Sequence, residues 1–152
     1  MSAGPQTRLG QAVGAALRAG AEALIEAAPR LTELDQAVGD GDLGISLERG
    51  GRAVRVALPS YALDDPAAAL HALPATLQST LGGTSGPLYA AFFVRAAARL
   101  RRGRPDDPAA WAEAFRAGCA AVAELGGAGR GDRTMLDALL RQGGPGRCPR
   151  RC

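Results

Sequence analysis

Lysine is absent from this chain, and all 18 of its basic residues are arginine. A Walker-type phosphate lysine and a Schiff-base lysine are therefore both excluded. Any phosphate bound here has to be held by backbone N–H groups, hydroxyls, arginine or metal. Histidine occurs once, at His71, and two of the three cysteines, Cys148 and Cys152, lie close to the C-terminus. Their spacing assembles no complete zinc set. A disulfide framework is equally poor a reading, and Cys119, inside an apolar helical stretch, reads as a small core residue. No apolar run approaches the roughly 20 residues of a membrane span. The first residues lack the basic, apolar and small-residue pattern of a secretory signal, so a cytoplasmic location is expected.

Acid and base are nearly matched over most of the length. Residues 1–140 hold 14 arginines against all 15 acids, and the +3 total comes from Arg141, Arg147, Arg150 and Arg151. The body has no nucleic-acid footprint, and neither nucleic acid nor membrane is an expected partner.

What is abundant is alanine, in a chain of 152 residues that is 47% apolar and 4% aromatic. That length suits one domain, and that composition favours helices over strands. Glycine and proline punctuate six helical stretches, at about 6–28, 43–58, 67–81, 88–101, 108–125 and 134–140. Pro29 is expected to end the first and Pro74 to kink or break the third. Short links favour antiparallel neighbours. In such an up-and-down array alternate turns emerge at opposite ends, so the turns at 39–42, 82–87 and 126–133 share one rim. These are the glycine-rich turns that also carry Asp, Thr and Ser.

Each of the three has an ordinary reading and a chemical one. Asp35, Asp40 and Asp42 place three carboxylates within eight residues. They form either a solvated acidic turn or an oxygen cluster for a hard divalent cation. An EF-hand is a poor fit, because starting at Asp40 its fifth and sixth positions are Gly44 and Ile45. Gly82-Gly83-Thr84-Ser85-Gly86, ahead of Pro87, is either a capped helix start or a cradle for an oxyanion. In Gly131-Asp132-Arg133-Thr134-Met135-Leu136-Asp137, Asp132 can cap a helix with Met135 in the core, or Met135 can lie on a base. Taken together they suggest metal-dependent nucleotide binding and phosphoryl transfer, with no residue standing out as a general base.

These motifs, with Leu31-Thr32-Glu33-Leu34-Asp35 leading into Gly39-Asp40-Gly41-Asp42-Leu43-Gly44, and with Leu88-Tyr89 following the second turn, resemble the nucleotide-binding (DhaL) domain of dihydroxyacetone kinases over roughly residues 5–140. The resemblance implies an all-α, up-and-down antiparallel helical barrel, with about six of the family's eight helices present. It implies two Mg²⁺ ions held by Asp35, Asp40 and Asp42, and ADP or ATP with its phosphates at Leu43, Gly44, Ile45, Ser46, Thr84 and Ser85. Gly126 and Met135 would border the adenine. It further implies a K-type substrate-binding subunit that carries a ketose covalently on a histidine, and as phosphoryl donor either ATP or a phosphotransferase-system protein.

Two departures from the family pattern matter. Position 43 is Leu where many relatives carry His or Cys. The stretch 141–152 is rich in Arg, Pro, Gly and Cys, where relatives continue through two more helices. A domain over 1–140 with a disordered, low-complexity tail over 141–152 is expected, the tail having the bias of a shifted frame or a fragment. An incomplete ring would leave apolar flanks open, with weak nucleotide affinity and association or partial unfolding as the expected consequences. The alternative function is a non-catalytic helical interaction or regulatory module that keeps the fold.

Overall fold

The computed structural model describes residues 5–142. Six α-helices follow one another: α1 (Pro5–Gln36), α2 (Leu43–Ala57), α3 (Pro66–Thr80), α4 (Ser85–Leu100), α5 (Pro108–Gly126) and α6 (Met135–Gln142). One 3-10 turn, Leu58–Ser60, follows α2, and no strand occurs among the described residues. Sequential helices pack on one another, and α1 and α6 do not meet. The fold is therefore an open, all-α antiparallel array, as the punctuation of the sequence suggests. Arg141 and Gln142 complete α6; the rest of the expected tail, with Cys148 and Cys152, lies outside the described residues.

Neither internal proline ends its helix. Pro74 sits inside α3 without ending it. Its missing N–H costs a helix about 3 kcal/mol, but Leu70, Leu73 and Leu77 of the same helix are all buried. Each such leucine contributes about 1.5–3 kcal/mol, which outweighs the cost. Pro29 likewise lies inside α1, which runs on to Gln36. It faces solvent, where water can serve the carbonyl of Ile25, and buried Ala28 and core-packed Leu31 hold the axis on either side. As a result Asp35 is carried by the last turn of a helix, not by a loop.

The pairing of α1 with α2 depends on small residues. A Cβ added at Gly44 would run into the Ala28 carbonyl and the Thr32 hydroxyl, and one at Gly51 would stand 2.7 Å from the Ala21 carbonyl. Gly44 opposite Ala28 and Gly51 opposite Ala21 are two steps of one antiparallel register, seven residues apart on each helix. Backbones that close leave α2 no freedom to slide, which fixes where its first turn lies.

Leu47, Val54, Leu58, Phe92, Leu100, Cys119, Val122 and Leu136 belong to a single buried cluster. Phe92 meets Phe93 and Phe115 edge-on at 5.2 and 5.4 Å between ring centres. Burial pushes the Cys119 thiol up from its ordinary value, consistent with an inert packing role. Trp111 keeps its polar edge satisfied by donating from Nε1 to the Pro105 carbonyl at 2.8 Å. Two of the helices that begin at the rim away from the acidic turn, α3 and α5, are closed by side chains. Asp65 accepts from the N–H groups of Ala67 and Ala68, and Asp107 from that of Ala109, each followed by a proline in the first turn.

Candidate metal centre

The acidic turn folds back on the end of α1. Asp35 receives the N–H of Val38 on its backbone carbonyl, at 3.0 Å, and the N–H of Leu43 on carboxylate Oδ2, at 3.2 Å. Asp40 Oδ1 accepts from the N–H of Asp42 at 3.3 Å. Gly41 makes the reversal with φ +80, in the left-handed region that side-chain-bearing residues avoid. One carboxylate oxygen from each of Asp35, Asp40 and Asp42 comes within 4.8 Å of the others.

Three like charges at that spacing repel each other by about 1 kcal/mol per pair even in the dielectric of water. The neighbouring ion pair, Arg30 with Glu33 at 3.1 Å, involves none of them. Oxygens on adjacent corners of a Mg²⁺ octahedron stand about 3 Å apart and those on opposite corners about 4.2 Å. Inward rotation of the exposed Asp40 and Asp42 side chains would bring the three oxygens toward that spacing. The donor set fits such an ion, because it consists wholly of oxygens.

The starts of α2 and α4 open at the same rim, and both lack the side-chain caps found on α3 and α5. Asp42 precedes α2 and Thr84 precedes α4, yet neither side chain accepts a capping hydrogen bond. The capped-start reading of the Gly-Gly-Thr-Ser turn therefore does not hold for Thr84. Helix α4 begins at Ser85, three residues ahead of the expected start, because Pro87 needs no donor in a first turn and Gly86 fits close against the Leu81 carbonyl. The positive dipole ends of α2 and α4 thus open at this rim without a bond from their own cap side chains, although the Leu43 N–H at the start of α2 is held by Asp35.

The three glycine-rich turns do share one rim. A Cβ at Gly82 would stand 3.9 Å from the Ser46 hydroxyl, and one at Gly126 would stand 3.6 Å from the Leu88 side chain in the first turn of α4. Leu43 and Ser46 are half-buried, Gly44 is buried, and Ile45 is exposed; Thr84 is exposed and Ser85 half-buried. Met135 opens α6 half-buried against the core.

The α5–α6 turn is organised by two carboxylates, Asp132, which reads from sequence as a cap, and Asp137. Asp132 accepts from the N–H of Gly129 at 2.7 Å and does not cap α6. Asp137 takes the N–H of Gly131 on Oδ1 at 2.8 Å and that of Thr134 on Oδ2 at 3.3 Å. The Thr134 hydroxyl accepts from the N–H of Leu136. The Gly131 N–H holds the Asp137 carboxyl below the usual carboxylate range, helped by Thr134, Arg133 and the charge of Arg141. A carboxyl lowered in the folded state lends its stabilisation above its unfolded value and loses it as pH falls through the folded one. The Gly131 amide resonance should accordingly stay fixed between pH 7 and 5 and shift only below about pH 4, as an NMR titration would record.

The family model described as the DAK2 domain matches residues 37–142. A putative 3,4-dihydroxy-2-butanone kinase of Solanum lycopersicum is 38% identical over 134 residues, 86% of this chain and 23% of that protein. The ADP-binding subunit DhaL of the PEP-dependent dihydroxyacetone kinase of Escherichia coli K12 is 38% identical over 110 residues, 72% of this chain and 52% of the subunit. The crystal structure of the dihydroxyacetone kinase from C. freundii in complex with AMP-PNP and Mg²⁺ superposes with a TM-score of 0.78 at 30% identity. It takes in 91% of this chain and 24% of that one. The chain thus spans about half of the bacterial subunit and about a quarter of the longer kinases.

Proposed function

The chain belongs to the DAK2-domain family, and on that premise we propose that it is the nucleotide-binding, phosphoryl-transferring component of a dihydroxyacetone-type kinase. Asp35, Asp40 and Asp42 hold Mg²⁺, two ions in all, and the open starts of α2 and α4 receive the phosphates of ADP or ATP. Leu43, Gly44, Ile45 and Ser46 contribute from one side and Thr84 and Ser85 from the other, with Gly126 and Met135 bordering the base. The metal would neutralise phosphate charge, which is the main requirement of phosphoryl transfer. The chain's own part is to orient the phosphates on two helix N-termini and to keep a low-charge, hydroxyl-bearing wall around them.

One observation carries this reading. Neither Asp42 nor Thr84, at the starts of α2 and α4, makes a side-chain capping bond, while Asp65 and Asp107 cap α3 and α5 at the far rim. A carboxylate cluster next to anion-attracting helix ends makes physical sense when a cation and a polyphosphate meet there. The acceptor belongs to the class named for the relatives, small hydroxyketones. It is presented by a separate K-type subunit, and the donor is ATP or a phosphotransferase-system protein in the cytoplasm.

Titration calorimetry with ADP, with and without Mg²⁺, tests the proposal. Binding is expected only in the presence of the metal. Equal binding without it would overturn the reading.

A further inference from the structure

The α5–α6 turn combines left-handed backbone positions with N–H groups held by carboxylates. Three of its residues, Gly127, Gly131 and Arg133, have φ between 58 and 100, and Arg133 is a side-chain-bearing residue that resists that conformation. Such a turn persists only when its surroundings over-determine it. Here the restraint comes from within. The N–H groups of Gly129, Gly131 and Thr134 are each taken by a carboxylate of Asp132 or Asp137. Those N–H groups are consequently not on offer to phosphate.

We infer that Asp137 is a positioning residue for nucleotide binding, fastening the 129–134 turn to the first turn of α6 so that the turn is shaped before the nucleotide arrives. The inference rests on the reading of this rim as a nucleotide site. Asp137 is suited to the task because its neighbour Leu136 is buried at 3% exposure and anchors α6 in the core. Its two carboxylate oxygens each hold a different residue of the turn, one at 2.8 Å and one at 3.3 Å, which fixes orientation as well as distance. The turn adjoins Gly126, which lies against Leu88 in the first turn of α4. Its shape therefore bears on the part of the ligand beyond the phosphates, the ribose and base. Pre-shaping spares the ordering cost that binding would otherwise meet.

The test compares Asp137→Ala and Asp137→Asn with the unaltered chain in three measurements: Mn²⁺ binding without nucleotide, MgADP affinity, and thermal unfolding. Asp137→Ala is expected to weaken MgADP about 10-fold, with Mn²⁺ affinity within twofold of the unaltered chain. Asp137→Asn, which keeps one acceptor, is expected to fall between them. MgADP affinity unchanged in Asp137→Ala overturns the inference alone. Parallel loss of Mn²⁺ binding and of the thermal transition in both variants also overturns it, by showing a purely structural role. An unaltered chain that binds Mn²⁺ but no ADP overturns the nucleotide reading and this inference with it.

Discussion

Replacing Asp40 with alanine is expected to remove magnesium-dependent ADP binding, by about 100-fold or more, while leaving the thermal transition unchanged or raised. The affinity loss follows from the ligand count. Loss of an outer-shell partner alone typically costs a metal site 10–100-fold, and Asp40 is proposed as a direct ligand. The stability effect follows from Coulomb's law. Without a cation, Asp40 is one of three carboxylates whose oxygens lie within 4.8 Å, so its removal relieves repulsion of about 1 kcal/mol per pair. Its one hydrogen bond, from the N–H of Asp42 at 3.3 Å, is long and exposed. Calorimetry with MgADP and a melting curve on the same samples separate the two effects. An aspartate kept only for turn geometry would instead lower the melting temperature and leave ADP binding as it was.

Gly44→Ala is expected to destabilise the chain by about 3 kcal/mol, at the upper end of ordinary overpacking. In an open helix the same change should stabilise by about 1 kcal/mol, because alanine is the better helix former. The sign reverses here because the new methyl would meet the Ala28 carbonyl and the Thr32 hydroxyl, and would stand 2.8 Å from the Thr32 nitrogen. Two of those atoms are backbone, so α1 and α2 must separate. That separation also pulls the N–H of Leu43 from Asp35, and nucleotide binding should fall together with stability. Gly20→Ala is the control. Gly20 lies within α1 with nothing near its would-be Cβ, and that change should raise stability slightly. Chemical denaturation of both variants checks the pair. Equal effects of either sign would refute the close-packing argument.

The helical architecture was legible because glycine and proline mark most of its joints, and because alternating turns of an antiparallel array must share ends. The acids were legible because Asp35, Asp40 and Asp42 are close in sequence and Gly41 permits the reversal. Less legible were features decided by packing. Pro29 reads locally as a stop and Pro74 as a kink or break, yet α1 and α3 continue through them, held by buried Ala28, Leu70, Leu73 and Leu77. Thr84 reads as a cap by residue type, and only the coordinates show its hydroxyl making no capping bond. Asp137 belongs to the Gly131–Asp137 motif, but its residue type alone assigns it no task. Its signal lay in its spacing from Gly131 and Thr134, a pattern that composition and periodicity do not register. The glycines of α2 were equally mute, since a helix-weakening residue reveals its purpose only when the backbone opposite it is known.

A crystal grown with MnCl₂ and ADP, measured at the manganese edge, tests the central claim most directly. Anomalous density is expected among the carboxylates of Asp35, Asp40 and Asp42, with the diphosphate lying between that density and the starts of α2 and α4. Carboxylates splayed into solvent with no manganese among them, or ADP seated away from Thr84 and Ser85, would contradict it.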